Sequence, residues 1–369
     1  MIRITTLTIL MISKLFTVPA FALLSVSTLS APANGSQNSC LSLMPCPQNI
    51  TLAEGKFTLN ERLSIYTNGM SKARQQHALQ RMTSQFKRIE GFDFSNFTLV
   101  DDEDNADIAI TVQAKQTAAL QLPQLGDDES YQLTISNHAI DITANTEFGA
   151  LHALTTLIQL AGIHNTENKR DETDRPNTLQ IPTLTITDKP RFKWRGLLID
   201  SVRHFMPIET LKRQLDGMAA AKLNVFHWHL TDDQGWRIES KAYPKLHQLA
   251  SDNLYYSQDE IASLVQYASL LGIRVVPELD VPGHASAIAV AYPELITARQ
   301  NYQMQRQWGV FEPLLDVSSP KVYQFIDNIV AEMANLFPDT YLHIGGDEVN
   351  PKQWNESPSI QRLMTTFDL

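Results

Sequence analysis

Apolar positions follow two different rhythms along this chain, and the change between them falls near Pro190. Before it, strand-like and helix-like stretches mix without regular alternation, as in a small α+β domain over about residues 34–188. Residues 57–67 and 106–113 read as strands, and 131–135 with 138–143 read as a hairpin turning at Ser136-Asn137. Ala78, Met82, Phe86 and Ile89 recur at helical spacing, as do Leu151, Leu154, Leu157, Ile158 and Ala161, and both stripes are core faces. The polar run 164–178 reads as a solvated loop, and Asp188-Lys189-Pro190 as a domain boundary.

After Pro190 strand and helix alternate, which predicts an α/β domain of the (β/α)8 barrel type over residues 189–369. Strands are expected at 194–200, 224–230, 273–279 and 341–344. The first helix opens near Pro207, the second at Ser257 with Glu260 three residues on as a capping box, and the third at Ser319-Pro320. In such a fold the chemistry gathers at the C-terminal ends of the strands. Asp200, Arg203 and His204 follow the first, His229, Asp232 and Asp233 the second, Glu278, Asp280 and His284 the third, and Gly345-Gly346-Asp347-Glu348 the fourth. Arg195 enters the first strand on the opposite face, where a structural role is expected.

Composition narrows the partners. Forty acidic against thirty basic side chains give a formal charge of −10, which disfavours nucleic acid and anionic lipid and fits a small neutral substrate. Residues 1–33 carry sparse positive charge at Arg3 and Lys14, an apolar run and a small-residue exit at Ala31-Pro32-Ala33, the layout of a signal peptide, with Met11 an alternative start. A membrane anchor is the competing reading, weakened by Lys14 and Pro19 within a short apolar span. A periplasmic or secreted protein without membrane attachment after cleavage follows. Its two cysteines, Cys40 and Cys46, are then either joined in a small disulfide or both free.

The segments Arg195-Gly-Leu-Leu-Ile-Asp-Ser-Val-Arg-His-Phe, Asn224-Val-Phe-His-Trp-His-Leu-Thr-Asp-Asp-Gln-Gly-Trp-Arg, Pro277-Glu-Leu-Asp-Val-Pro-Gly-His and His343-Ile-Gly-Gly-Asp-Glu-Val closely resemble glycoside hydrolase family 20, the β-N-acetylhexosaminidases and chitobiases. The resemblance runs from about Pro190 to the end, and the region before it resembles the domain that precedes the barrel in that family. Independently of the name, adjacent residues on an extended segment point to opposite sides, so Asp347 and Glu348 are badly placed to flank one glycosidic bond as acid and nucleophile. One acid and one helper is the arrangement that fits. A substrate bearing a 2-acetamido group supplies its own nucleophile, which is the substrate-assisted, retaining route.

The resemblance implies that Glu348 is the general acid and base, with Asp347 orienting the acetamide. A pKa raised by burial and a neighbouring charge suits the acid role. It further implies that Asp232 and His284 form a relay to Glu348 through a histidine that titrates in the working range, and that Arg203 binds sugar hydroxyls. No cofactor and no metal are implied, and the expected partner is an oligosaccharide ending in β-linked N-acetylhexosamine. Simpler readings stand beside these: a solvated acidic loop for Asp347 and Glu348, a turn residue for His284, a cap for Asp232 or Asp233, and an internal ion pair with Asp200 for Arg203. Glu278 and Asp280 line the mouth without an assigned role. His227 and His229, on one face of a strand, would suit a metal-dependent barrel hydrolase, against packed interior histidines.

Only about four of eight barrel strands are present, so the chain reads as C-terminally truncated, with an uncovered interior and two open edges. A split or non-catalytic carbohydrate-binding fragment is the alternative function, and a complementary C-terminal fragment an expected partner.

Overall fold

The computed structural model describes residues 40–90, 92–114, 120–167 and 178–368. The expected leader lies outside them, as do residues 168–177 of the expected loop.

The first sheet has seven strands: β1 (Asn49–Asn60), β2 (Arg62–Asn68), β3 (Asn96–Leu99), β4 (Ile108–Val112), β5 (Tyr131–Ile135), β6 (Ile140–Ala144) and β7 (Thr178–Asp188), in the order β1-β7-β5-β6-β4-β2-β3. The hairpin β5–β6 alternates as expected, burying Tyr131, Leu133, Ile135, Ile140 and Ile142 on one face. The single strand expected over 57–67 is instead two, β1 antiparallel to β7 and β2 parallel to β4. Only Glu61 separates them, although four strands intervene in the order, so the sheet must curl round on itself. Helices α1 (Lys72–Phe86) and α2 (Glu147–Glu167) carry the predicted stripes, with Ala78, Met82, Phe86, Leu154 and Leu157 buried, and α2 continues through residues 164–167 where a loop was expected.

The second sheet is parallel, in the order β8 (Gly196–Asp200), β9 (Val225–His229) and β12 (Arg274–Glu278), each neighbour in space being the next strand of this sheet in sequence. Between β8 and β9 runs α3 (Ile208–Ala220), beginning just after Pro207. A two-residue antiparallel pair, β10 (Thr231–Asp232) and β11 (Gly235–Trp236), then α4 (Lys245–Leu249) and α5 (Gln258–Leu270), lead to β12. The capping box of α5 is formed, Ser257 N–H donating to Glu260 Oε2 at 2.8 Å and Glu260 N–H to Ser257 Oγ at 3.2 Å. After β12 come α6 (Ser286–Ala291), α7 (Pro320–Leu336), α8 (Lys352–Glu356) and α9 (Pro358–Phe367).

The fourth strand expected at 341–344 is reduced to a bridge between Glu278 and His343, held by His343 N–H to Pro277 O at 3.0 Å and Leu279 N–H to His343 O at 2.9 Å. Among the described residues nothing pairs with its far edge, and a segment bonded on one side only stays irregular. Tyr341 and Ile344 are exposed there, and Leu197 and Leu198 are exposed on β8 at the sheet's other edge.

Two hydrophobic cores divide between Ile186 and Ile199, one under the first sheet and one between the second sheet and its helices. Polar contacts tie them together at the strand entrances. Arg195 grips Glu129 with both Nη atoms, at 2.9 and 2.7 Å, and gives its Nε–H to Lys222 O at 2.8 Å, in keeping with a structural role. Lys222 is buried and donates to Tyr131 Oη and Thr156 Oγ1, while Arg74 of α1 reaches Ser269 O at the end of α5.

Candidate functional site

Strand register places the chemistry. Asp200 pairs with His229 and His229 with Glu278, so the last residues of β8, β9 and β12 stand level, with His343 bridging on from Glu278. Every predicted site residue lies just beyond this row, Asp232 in the short strand β10 and the others in the connecting segments.

Asp232 is the buried hub. Its Oδ2 lies 2.5 Å from Arg203 Nη2 and 2.8 Å from His229 Nε2, and its Oδ1 lies 3.0 Å from His284 Nδ1. Arg203 also binds Asp200 at 3.1 Å and Gln234 Oε1 at 3.0 Å, with the Trp308 ring 4.9 Å from its Cζ. The internal pair with Asp200 is thus formed, and most of the guanidinium donors are engaged inside the protein. His284 sits at φ +47° and is shared by two carboxylates, because Asp233 Oδ2 lies 3.1 Å from the same Nδ1. Asp233 also accepts from the Ser286 N–H and hydroxyl at the start of α6, so it both caps and orients.

The opposite nitrogen, His284 Nε2, makes no hydrogen bond among the described residues. It faces the adjacent carboxylates, 3.6 Å from Glu348 Oε2 and 3.7 Å from Asp347 Oδ2. Glu348 (φ +51°) follows Gly345 (φ +63°) and Gly346 (φ +94°), so the pair stands on a left-handed turn rather than an extended segment. Both side chains are open to solvent, 62% for Asp347 and 56% for Glu348. The burial expected to favour an acid is therefore not provided by this chain.

The electrostatics follow from the contacts. Two hydrogen-bonded carboxylates, Asp232 and Asp233, push His284 up to about 11 against the effect of its burial. It is therefore charged throughout the neutral range, which corrects the expectation of a histidine that titrates there. Burial alone would raise Asp232, but His229, His284 and Arg203 hold it at about 2. Burial likewise works against charge on His229, and its bonds to Asp232 and Glu278 outweigh it, to about 9. Asp280 is the exception. Burial raises it to about 7, with Asp347 and Asp232 adding to the effect and the Gly346 N–H and His284 opposing it.

His227 and His229 do converge, on Glu278 Oε2, at 2.6 and 2.9 Å, and His343 Nδ1 lies 3.2 Å from Oε1. The donor atoms of His227, Glu278 and His343 all lie within 4.8 Å of one another. The three imidazoles are charge neighbours of the one carboxylate, and His227 Nε2 is not aligned with it as a hydrogen bond. Glu278 is held well below the usual carboxylate range, its burial being overcome by the two histidines. In the sequence Glu278 and Asp280 carried no assigned role and His229 only the metal-ligand or packed-interior readings, since only register across parallel strands reveals that they meet.

Residues 192–369 match the model of the glycosyl hydrolase family 20 catalytic domain, and residues 43–160 match a domain described as beta-acetyl hexosaminidase like. The chain belongs to glycoside hydrolase family 20. It is 32% identical over 357 residues to beta-hexosaminidase subunit A2 of Dictyostelium discoideum, covering 96% of this chain and 61% of that protein. The solved chitobiase of Flavobacterium johnsoniae superposes with a TM-score of 0.77 at 42% identity, over 89% of this chain and 48% of that one. The Vibrio harveyi exo beta-N-acetylglucosaminidase, solved with N-acetylglucosamine, gives 0.71 at 30% identity, over 92% and 52%. The family 20 chain described here thus spans between about half and three-fifths of the length of these relatives. Family membership makes the parallel sheet the opening strands of a (β/α)8 barrel preceded by an α+β domain.

Proposed function

We propose that this chain carries the acid–base centre of a β-N-acetylhexosaminidase that removes terminal, β-linked N-acetylhexosamine from oligosaccharides with retention of configuration. One observation carries the reading: His284, clamped from behind by Asp232 and Asp233, turns an unpaired Nε2 toward both Asp347 and Glu348. The adjacent pair divides the work. Glu348 protonates the glycosidic oxygen while the acetamide carbonyl oxygen of the substrate attacks the anomeric carbon, and the leaving alcohol departs with that proton. Asp347 accepts the acetamide N–H and balances the positive oxazolinium formed. Glu348 then takes a proton from water, which opens the ring with a second inversion and so retains the starting configuration. Arg203, beyond Asp232, is the group we assign to the sugar hydroxyls, through the donor capacity left over from its internal bonds.

Chitin-derived fragments are a fitting substrate class, given the chitobiase among the relatives. The Cys40–Cys46 disulfide supports export to the periplasm or beyond, where such bonds persist. The exposure of both carboxylates, of Leu198 and of Ile344 favours a refinement in which a complementary segment completes the barrel and its pocket. Efficient turnover by this chain alone would refute that refinement.

The test of the activity is an aryl N-acetyl-β-glucosaminide compared with the aryl β-glucoside that lacks the acetamide. Cleavage of the first and not the second is expected. Equal turnover of both would sink substrate assistance.

A further inference from the structure

Asp280 is buried and belongs to no ion pair among the described residues, yet it lies where β12, the β10 strand and the Gly345-Gly346 turn converge. Its backbone N–H donates to Thr231 Oγ1 at 3.0 Å, which fixes it against the hub carrying Asp232. Its Oδ1 accepts the Gly346 N–H at 3.2 Å. The approach is so close that a Cβ on Gly345 would fall 1.9 Å from Asp280 Oδ1 and 2.4 Å from its Cγ. Gly345 is thus required twice, for its φ of +63° and for the space the carboxyl group fills. The Val281 N–H to Ile344 O bond, 3.2 Å, pins the residue before the turn, and beyond it a Cβ built on Gly283 would lie 3.6 Å from Asp347 O.

We propose that Asp280 is the positioning residue for the adjacent carboxylates, its carboxyl group seated in the hollow left by Gly345 and Gly346 so that the turn presents Asp347 and Glu348 to the sugar. The inference rests on the hydrolase reading above for its consequence, but its geometry stands without it. Asp280 touches no reacting atom and works through the turn. The charged and titratable groups facing it are Asp347 on the turn, His284 after β12, and Asp232 and His229 from β9 and β10. Three carboxyl groups thus crowd beside two imidazolium groups already bonded to other carboxylates, which gives Asp280 reason to hold a proton where an exposed aspartate would not.

Gly345-Gly346 is the only Gly-Gly pair in the sequence, so labelling glycine with 13C at the carbonyl and 15N at the amide isolates the Gly346 amide as a single correlation in the full chain. That resonance should titrate near neutral pH in the wild-type protein. Asp280→Asn, which keeps an acceptor oxygen, should retain the hydrogen-bonded shift and lose the titration, and Asp280→Ala should lose both. With the aryl N-acetyl-β-glucosaminide, Asp280→Ala should lower kcat by on the order of 100-fold with little change in KM, the scale expected of misplaced catalytic groups, and Asp280→Asn should restore most of it. An unchanged titration in Asp280→Asn overturns the proposal even if the alanine variant does not fold, and so does an alanine variant with wild-type kcat. If the amide responds as expected while neither the wild type nor any variant cleaves the acetamido substrate even with the barrel completed, the hydrolase reading falls and the seat of Asp280 under the turn stands.

Discussion

Arg195 and Glu129 offer a direct measure of how firmly the two sheets are joined. Arg195 makes two bonds to the Glu129 carboxylate and one each to Lys222 O and Phe192 O, and both side chains of the pair are about nine-tenths buried. Removing one partner of such a pair costs about 3–5 kcal/mol, because the other charge stays buried without compensation. Arg195→Met belongs at the upper end of that range, since Glu129 keeps only His152, at 3.1 Å, and two long contacts to Asn224. Glu129→Gln belongs at the lower end, as the amide oxygen still accepts. The double variant should lose about 2 kcal/mol less than the sum of the two singles, within the usual range for residues in contact. Urea unfolding measures this well, because all five tryptophans lie at or after Trp194 and report the second core, while far-ultraviolet circular dichroism reports both. We expect the fluorescence transition of Arg195→Met to move to lower urea and to separate from the dichroism transition. Single-variant losses that add to within about 0.5 kcal/mol would refute the coupling, and coincident, unshifted transitions would refute the bridging role.

Other expectations concern protons and turnover. Burial lowers Lys222 to about 8 despite Asp188. Between that value and its unfolded value of 10.5 the unfolded chain holds more protons, so Lys222 makes stability rise with pH by at most about 1.4 kcal/mol per unit. Lys222→Met should remove that slope, read as the difference in urea midpoints between pH 8 and 10.5. His284 has the opposite sign: its contribution is complete below 6.5 and fades as pH climbs toward 11. His284→Asn should therefore destabilise more at pH 6 than at pH 10, and a cost independent of pH would contradict the clamp by Asp232 and Asp233. In the hydrolase with a complete barrel, Glu348→Gln should remove most turnover by an amount set by the lost proton transfer, about 100- to 10,000-fold. A chelator should leave the rate unchanged, and inhibition by one would reopen His227, Glu278 and His343 as a metal site.

Much of this could be read from local signals. Helix starts at Pro207, Ser257 and Ser319-Pro320 were legible because capping and proline chemistry act within one turn. The placement of Arg203, Asp232 and His284 beyond strand ends was legible because βα alternation fixes which end is which. What escaped depends on pairing. β7 contains Pro182, which demotes an apolar run as a strand, yet in the fold it faces the irregularity in β1 between Leu52 and Lys56, where the ladder is already interrupted. The break at Glu61 has no local mark and is imposed by partners on opposite sides of a curled sheet. The fourth barrel segment has a strand's sequence but a partner on one edge only. At the site, the choice between Asp232 and Asp233 was posed as one catalytic residue and one cap, whereas both hold His284.

That double hold changes how the acid–base pair can be tuned. A histidine bonded to one carboxylate can gain and lose its charge near neutral pH, but one bonded to Asp232 and Asp233 is pushed to about 11 and stays a fixed cation. It then supplies a constant field to Asp347 and Glu348 from 3.6–3.7 Å and cannot itself report pH. Its positive charge is largely committed to the two carboxylates behind it, and His229 is committed in the same way to Asp232 and Glu278. Burial raises Asp280, beneath the turn, to about 7. As Asp280 ionises, a negative charge appears beside Asp347 and strengthens its hold on the Gly346 N–H. A rate profile that bends near pH 7 in the complete enzyme should therefore lose that bend in Asp280→Asn and keep it in a variant of any exposed histidine. Retention of the bend in Asp280→Asn would return the role to a histidine.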